Sequence, residues 1–198
     1  MIRFLAVLFS LVLLLALAAG GASLYVFWRF GRDLPDYSQL ADYRPAVMSR
    51  VHAGDGTLIA EFAHQRRLFV PIAAMPKQVI QAFLAAEDKT FYTHPGIDFA
   101  GIASAMLRNI KNIGGKRRPV GASTITQQVA KNFLLTNELS IARKIKEAIL
   151  AFRIEHAFSK DRILELYLNE IYLGLGSYGV AAAALNYFDK SLDELNLE

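Results

Sequence analysis

The sequence predicts a mainly α protein: one membrane-length apolar helix, a small β-hairpin, then a domain of consecutive amphipathic helices. Three observations predict it. Positions 4–28, from Phe4 to Trp28, form a run of 25 residues without a charge. Gly54-Asp55-Gly56 separates two short segments, Met48–Ala53 and Thr57–Ala63, and supplies the positive φ that a tight hairpin turn needs. From Pro76 onward apolar residues recur at helical spacing between clusters of Ser, Thr, Pro and Gly.

The elements follow in order. Arg3 flanks the apolar run on one side, Arg29 and Arg32 on the other. As a helix it spans roughly 37 Å, enough to cross a hydrocarbon core of about 30 Å with some tilt. Tyr25 and Trp28 at its far end suit a membrane interface. A cleaved signal peptide is one alternative, with small residues at Ala16–Ala22, but the run continues past them and outlasts the usual ~7–15-residue signal core. A buried core helix is another. The expected organisation is a tail at 1–3, an anchor at 4–28, a linker at 29–47 with two prolines, and one domain at 48–198. Flanking charge leaves the orientation of the anchor open.

Within the domain, Val79, Ile80, Phe83 and Ala86 mark a helix that starts near Pro76. Phe99–Ile110 is a second apolar helix, and Ile113–Gly121 is a breaker-rich loop. Ser123 is the expected N-cap of a helix running to about Leu135. Ile141–Phe158 is amphipathic, with Ile141, Ile145, Ile149 and Phe152 on its apolar face and Arg143, Lys144 and Glu147 opposite. Ser159 caps a helix to about Leu173, ended by Gly174. Gly176–Leu185 is a small, packed apolar helix.

Composition narrows the function classes. With 54% apolar and 20% charged residues the chain is not disordered, and 13 glycines without a period exclude a collagen-like repeat. The absence of cysteine removes disulfides, thiolate metal sites and a Cys nucleophile, and says nothing about redox compartment. The net charge of +4 is a mild basic bias with a location: between Asp98 and Glu138 no acid occurs, whereas Arg108, Lys111, Lys116, Arg117, Arg118 and Lys131 do. That stretch is a solvated basic face, a site for an anionic ligand, or a surface for an anionic membrane. The anchor and the scarcity of aromatics within it argue against nucleic acid.

Glu87-Asp88 ends an apolar helix just before an aromatic turn, Phe91-Tyr92-Thr93-His94. A carboxylate there is expected to be partly desolvated, which raises its pKa and makes it a better base; a surface hydrogen-bonding role is the plain alternative. His94 alone reads as a structural hydrogen-bonder. No His-Glu-x-x-His spacing occurs, which argues against a zinc hydrolase. Arg143 and Glu147 are i,i+4 neighbours, but acid after base is the weaker orientation on a helix. Two cations beside one carboxylate suit holding a phosphate next to an acid or base.

Four segments, in order, resemble glycosyltransferase family 51, the peptidoglycan glycosyltransferases. Glu87-Asp88-Lys-Thr-Phe91-Tyr-Thr-His94-Pro-Gly96 is similar to the family's first motif. Gly121-Ala122-Ser123-Thr124-Ile-Thr126-Gln127-Gln128 is similar to the second, with Ala122 where Gly is common. Arg143-Lys144-Ile-Lys146-Glu147 and Lys160-Asp-Arg-Ile163-Leu164-Glu165-Leu-Tyr167-Leu-Asn169 resemble the third and fourth. The anchor and residues 48–70 further resemble class A penicillin-binding proteins. Family members continue past the position of Glu198, so the chain is expected to be a C-terminally truncated piece of a longer enzyme. No Ser-x-x-Lys segment occurs in it.

The resemblance implies a lysozyme-like α-helical transferase domain that polymerises lipid II into β-1,4 glycan strands, with inversion and release of undecaprenyl pyrophosphate. It implies Glu87 as general base and Glu147 as the second carboxylate. It places Lys131, Arg143 and Lys144 on the pyrophosphate, and Asp88, Phe91, His94, Gly121, Ser123, Thr124, Gln127 and Gln128 around the substrate. No cofactor is required; divalent Mg or Mn assists some relatives, and no metal-ligand cluster is legible. The implied partners are lipid II, the growing strand, the membrane and other cell-wall synthesis proteins, with the domain outside the bacterial inner membrane on a single span. Two alternatives remain open: a lytic transglycosylase, which needs no pyrophosphate site, and a catalytically silent membrane-anchored scaffold.

Overall fold

The computed structural model describes residues 2–43, 49–62, 66–115, 120–136 and 138–196. Helix α1 (Ile2–Gly31) is continuous from the apolar run into the first basic residues beyond it. The most apolar 18-residue stretch of its segment Arg3–Gly31 has a mean hydropathy of 2.6 and none of it is buried in protein, so the helix is long and apolar enough to cross a membrane. The chain then turns onto the domain. Leu40 is fully buried, and Arg162 donates to the carbonyls of Leu40 and Ala41 at 2.9 and 3.1 Å, so residues following α1 pack as part of the core.

Strands β1 (Ser49–His52) and β2 (Leu58–Phe62) form the expected antiparallel hairpin, with Arg50 opposite Glu61 and a bulge after Val51. Gly56 has φ +87, and Asp55 accepts from the Thr57 amide at 2.9 Å. The expected hairpin ends Met48 and Ala63 lie outside the described residues. A two-residue strand β3 (Arg66–Arg67) runs parallel to β4 (Ser177–Tyr178).

Among the described residues six further α-helices follow: α2 (Lys77–Glu87), α3 (Phe99–Lys111), α4 (Ile125–Leu134), α5 (Ile141–Ala157), α6 (Lys160–Glu170) and α7 (Val180–Phe188). Helices α4 and α6 are central. Ile125, Val129 and Ala130 of α4 meet Ile163, Leu164 and Tyr167 of α6 and Leu150 and Ile154 of α5 in one core. Asn169 sews the chain ahead of α2 onto α6: its side chain exchanges hydrogen bonds with the Val70 amide and carbonyl at 2.8 and 2.9 Å, as a strand partner would.

Four expectations about these helices are corrected. The N-cap of α4 is Thr124, not Ser123: Thr124 and Gln127 form a reciprocal capping box. Helix α6 stops at Glu170, because Ile171 leaves the helical region with ψ 128; its amide makes the last helical bond, to Tyr167. The last helix begins at Val180, after β4, not at Gly176. The buried face of α5 is Glu147, Ile149, Leu150, Ala151 and Ile154, whereas Ile141 and Phe152 are exposed. Glu147 therefore lies on the inward face, not opposite it.

Candidate active site

The end of α2, the turn that follows it and the start of α4 are joined by a buried polar network. Helix α2 ends at Glu87, and Asp88 breaks it with φ −157. The Asp88 side chain, 3% exposed, accepts from the Ile125 amide at 3.0 Å, where α4 leaves its first amides without helical partners. Both its oxygens also lie 3.0 Å from His94 Nε2. The Gly96 amide donates to His94 Nδ1 at 3.1 Å, so that nitrogen carries no proton, and the ring's proton sits on Nε2 and is donated to Asp88. Thr124 closes the junction by donating to the Gly96 carbonyl at 2.6 Å.

That network decides what its neighbours do. Glu87 is exposed, not desolvated as expected, because the helix end turns Asp88 inward and leaves Glu87 outward. Its Oε2 accepts from Gln128 Nε2 at 2.9 Å across the α2–α4 seam. Tyr167 packs beneath both acids; burial and then the charges of Glu87 and Asp88 push its hydroxyl far above its ordinary pKa, so it stays protonated.

A cavity of about 190 Å³ opens beside Glu87, walled by Asp88, Thr90, Asp98, Arg108 and residues 120–124. Its edges are fixed by hydrogen bonds. Thr90 donates to Asp98 at 2.9 Å, and Asp98 caps α3 by accepting from Gly101 at 2.8 Å. The Gly101 amide, ahead of the Thr90 hydroxyl, holds the Asp98 carboxyl below the usual carboxylate range against the opposing effect of burial. On the other wall, Asn109 exchanges hydrogen bonds with the Val120 carbonyl and amide at 3.1 and 2.8 Å, which ties residues 120–124 to α3.

Ser123 connects this cavity to a cationic cluster. Lys144 Nζ donates to Ser123 Oγ and to Glu147 Oε2, both at 2.7 Å. The Glu147 side chain is 3% exposed, and Arg143 Nε stands 3.3 Å from its other oxygen. The angle there is poor, so Arg143 Nε and Glu147 Oε1 are buried without a hydrogen-bond partner. A second cavity of about 460 Å³ borders Arg143 and Lys146 and extends to Asp33–Pro35, just beyond the end of α1. Lys131 is half-buried on α4, one turn after Gln128, and among the described residues it has no paired carboxylate or acceptor.

The structure thus brings Glu87, Asp88, Gly121, Ser123, Thr124 and Gln128 to one cavity or its rim, and Arg143, Lys144 and Glu147 to one cluster beyond Ser123. Three predicted substrate contacts are placed otherwise. Phe91 is 1% exposed beneath the Lys160 ammonium, His94 spends both ring nitrogens on Asp88 and Gly96, and the Gln127 carbonyl accepts from Thr124 in the cap. None of the three lines the cavity. Lys116, Arg117 and Arg118 of the basic stretch lie outside the described residues. Among the described residues no group of three or more His, Asp or Glu side chains stands close enough to hold a metal. Sequence reasoning missed Asp98, Asn109, Glu155 and Lys160; of these only Lys160 sits in a recognised motif.

A family model described as Transglycosylase matches residues 55–198. The chain is 56% identical over 183 residues to penicillin-binding protein 1A of Rickettsia felis, covering 92% of this chain and 23% of that protein. It is 53% identical over 148 residues to penicillin-binding protein 1A of Haemophilus influenzae, covering 75% of this chain and 17% of that protein. It is 43% identical over 190 residues to penicillin-binding protein 1A of Escherichia coli, covering 96% and 22%. The chain therefore spans less than a quarter of the length of these relatives.

Proposed function

The chain belongs to the transglycosylase family, and we propose that it polymerises lipid II into β-1,4 glycan strands in bacterial cell-wall synthesis. The observation that carries the proposal is the pairing of an exposed carboxylate, Glu87, held by Gln128 at a cavity rim, with a cationic cluster reached through Ser123. The acceptor is the GlcNAc 4-hydroxyl of lipid II, entering the cavity beside Glu87. Glu87 takes the hydroxyl proton as the oxygen attacks the anomeric carbon of the strand. The bond from that carbon to the undecaprenyl pyrophosphate oxygen breaks, the centre inverts from α to β, and the electron pair leaves with the pyrophosphate.

Each group has a physical task. A base at hydrogen-bond reach contributes about 10²–10⁴-fold. The Gln128 amide aims the exposed Glu87 carboxylate. The leaving pyrophosphate develops charge, and preorganised cations stabilise such charge better than mobile water does. We assign that task to Lys131, which has no paired acceptor among the described residues, and to Lys144 and Arg143, which Glu147 orients. Asp88, Phe91, His94, Thr124 and Gln127 serve by holding the junction of turn and helix in place. The cluster also favours synthesis over hydrolysis, since cleaving a glycan needs no pyrophosphate site.

Membrane geometry supports the substrate class. Phe99, Met106, Leu107 and Ile110 of α3 are all more than half exposed, an apolar face suited to dip into the bilayer beside the lipid tail. The end of α1 packs on α5, with Arg153 donating to the Gly31 carbonyl at 3.2 Å, and Asp33–Pro35 just beyond α1 share a cavity with Arg143 and Lys146, which supports a cationic cluster near the membrane surface. The domain lies outside the cytoplasm, where external protease should digest it in spheroplasts.

The deciding experiment incubates the full-length protein in liposomes with lipid II and, separately, with preformed strands. Glycan polymer is expected from lipid II. Shortening of preformed strands without synthesis identifies a hydrolase, and no reaction with either identifies a scaffold.

A further inference from the structure

We infer that Lys160 and Glu155 are positioning residues for this reaction: largely buried and outside the cavity lining, they lock the Phe91–Gly96 turn against α4 and so hold Glu87 beside Gln128. The inference rests on Glu87 acting as the base.

The pair joins three elements. Lys160, at the start of α6, donates to the His94 carbonyl at 2.7 Å and to Glu155 Oε1 at 2.8 Å, and its ammonium stands 4.5 Å from the Phe91 ring centre. Glu155, on α5, accepts from the Thr126 hydroxyl of α4 at 2.5 Å through the same oxygen. The two side chains are 21% and 7% exposed, and neither lines the cavity. The turn itself is pressed onto α5 at this point: Gly96 has φ +95, and a Cβ there would stand 2.8 Å from the Ala151 carbonyl oxygen and 2.9 Å from Glu155 Cγ.

Two bonded routes lead from the pair to the base. One runs from Lys160 to His94, whose ring holds Asp88, the neighbour of Glu87. The other runs from Glu155 to Thr126, which follows Ile125, the residue whose amide holds Asp88 from the opposite side. Gln128 lies two residues further along α4. The routes converge on the Asp88–Ile125 contact, and the Glu87–Gln128 contact sits directly outside it. Stability alone gives no reason for ions here, because a well-packed apolar pair is often as stable as a buried ion pair. Directional bonds to a turn and a helix at once are what an apolar pair lacks. Misplacement of a reacting group by about 1 Å can cost on the order of 100-fold.

The test measures glycan polymerisation by the full-length protein. Lys160→Met keeps the apolar stem over Phe91 and removes the donors. It is expected to lower kcat roughly 10–100-fold while leaving KM for lipid II and affinity for undecaprenyl pyrophosphate within about twofold. Thr126→Val, which removes a single hydrogen bond, should give a loss of roughly 3–10-fold and serves if Lys160→Met does not fold. A residue that acts through Glu87 has nothing left to position once Glu87 is disabled, so in a Glu87→Gln background either change should cost less than about twofold. A kcat within twofold of wild type in a folded variant overturns the inference, as does the full loss recurring in the Glu87→Gln background, which leaves the base assignment standing. Near-normal turnover of Glu87→Gln alone overturns both.

Discussion

Replacing Asp88 by Asn tests the buried junction on which the site is built, and its cost follows from counting donors. The carboxylate accepts from the Ile125 amide and from His94 Nε2, each at 3.0 Å, while His94 Nδ1 accepts from Gly96 at 3.1 Å. An Asn oxygen can replace one acceptor, at Ile125. Its NH₂ group then faces His94 Nε2. If the ring keeps its proton on Nε2, two donors oppose each other. If the proton moves to Nδ1, the Gly96 amide loses its acceptor instead. Either way one buried donor goes unsatisfied, a loss of about 1–3 kcal/mol. For a domain of 150–250 residues that lowers Tm by roughly 2–12 °C. Thermal unfolding of the full-length variant at neutral pH, followed by circular dichroism, reads it. An unchanged Tm would show that the ring does not hold the tautomer assigned to it and would refute the reasoning.

Lys131→Met removes a cation with no partner among the described residues, so Tm should stay within about 1 °C. Affinity for undecaprenyl pyrophosphate should fall roughly 10–100-fold, the worth of a hydrogen bond to a charged group, and an equal loss of stability would make Lys131 structural. Gly96→Ala places a methyl against a backbone oxygen at positive φ and should cost roughly 2–6 kcal/mol in denaturant unfolding; a smaller change means the turn can lift off α5. Asp98→Ala should destabilise α3 by about 1 kcal/mol at pH 6 through loss of its cap. Because the folded Asp98 carboxyl lies below its unfolded value of about 3.9, its stabilisation is present above that pH and lost as pH falls through the folded value. The gap in Tm between wild type and Asp98→Ala should therefore close below about pH 4, and a gap constant from pH 6 to pH 3 contradicts the assignment.

Helix existence and order were legible because period, breakers and caps agreed from Pro76 onward. The cap of α4 was legible too, had the box been weighed: Gln127 stands three residues after Thr124, whereas Ser123 has Thr126 at that position. The face of α5 was not, because Ile and Leu occur around most of its circumference and only the partners on α4 and α6 select Leu150 and Ile154 over Ile141. Burial of Glu147 contradicts the pattern for a charged residue and becomes reasonable only with Lys144 and Arg143 folded over it. Which of Glu87 and Asp88 turns inward depends on where α2 breaks, a matter of one residue. The contact of Lys160 with His94, 66 positions apart, leaves no local trace at all.

The account stands or falls on the division of labour between two carboxylates, one exposed at the cavity rim and one buried among cations. Glu87→Gln and Glu147→Gln in the full-length protein, assayed for lipid II polymerisation with kcat and KM resolved, test it most directly. Glu87→Gln keeps the partner Gln128 within reach but cannot accept a proton, so kcat should fall roughly 10²–10⁴-fold with KM nearly unchanged. Glu147→Gln frees Arg143 and Lys144 from their orienting charge, so both kcat and KM should change. A Glu87→Gln enzyme that polymerises lipid II within about tenfold of wild type would contradict the account.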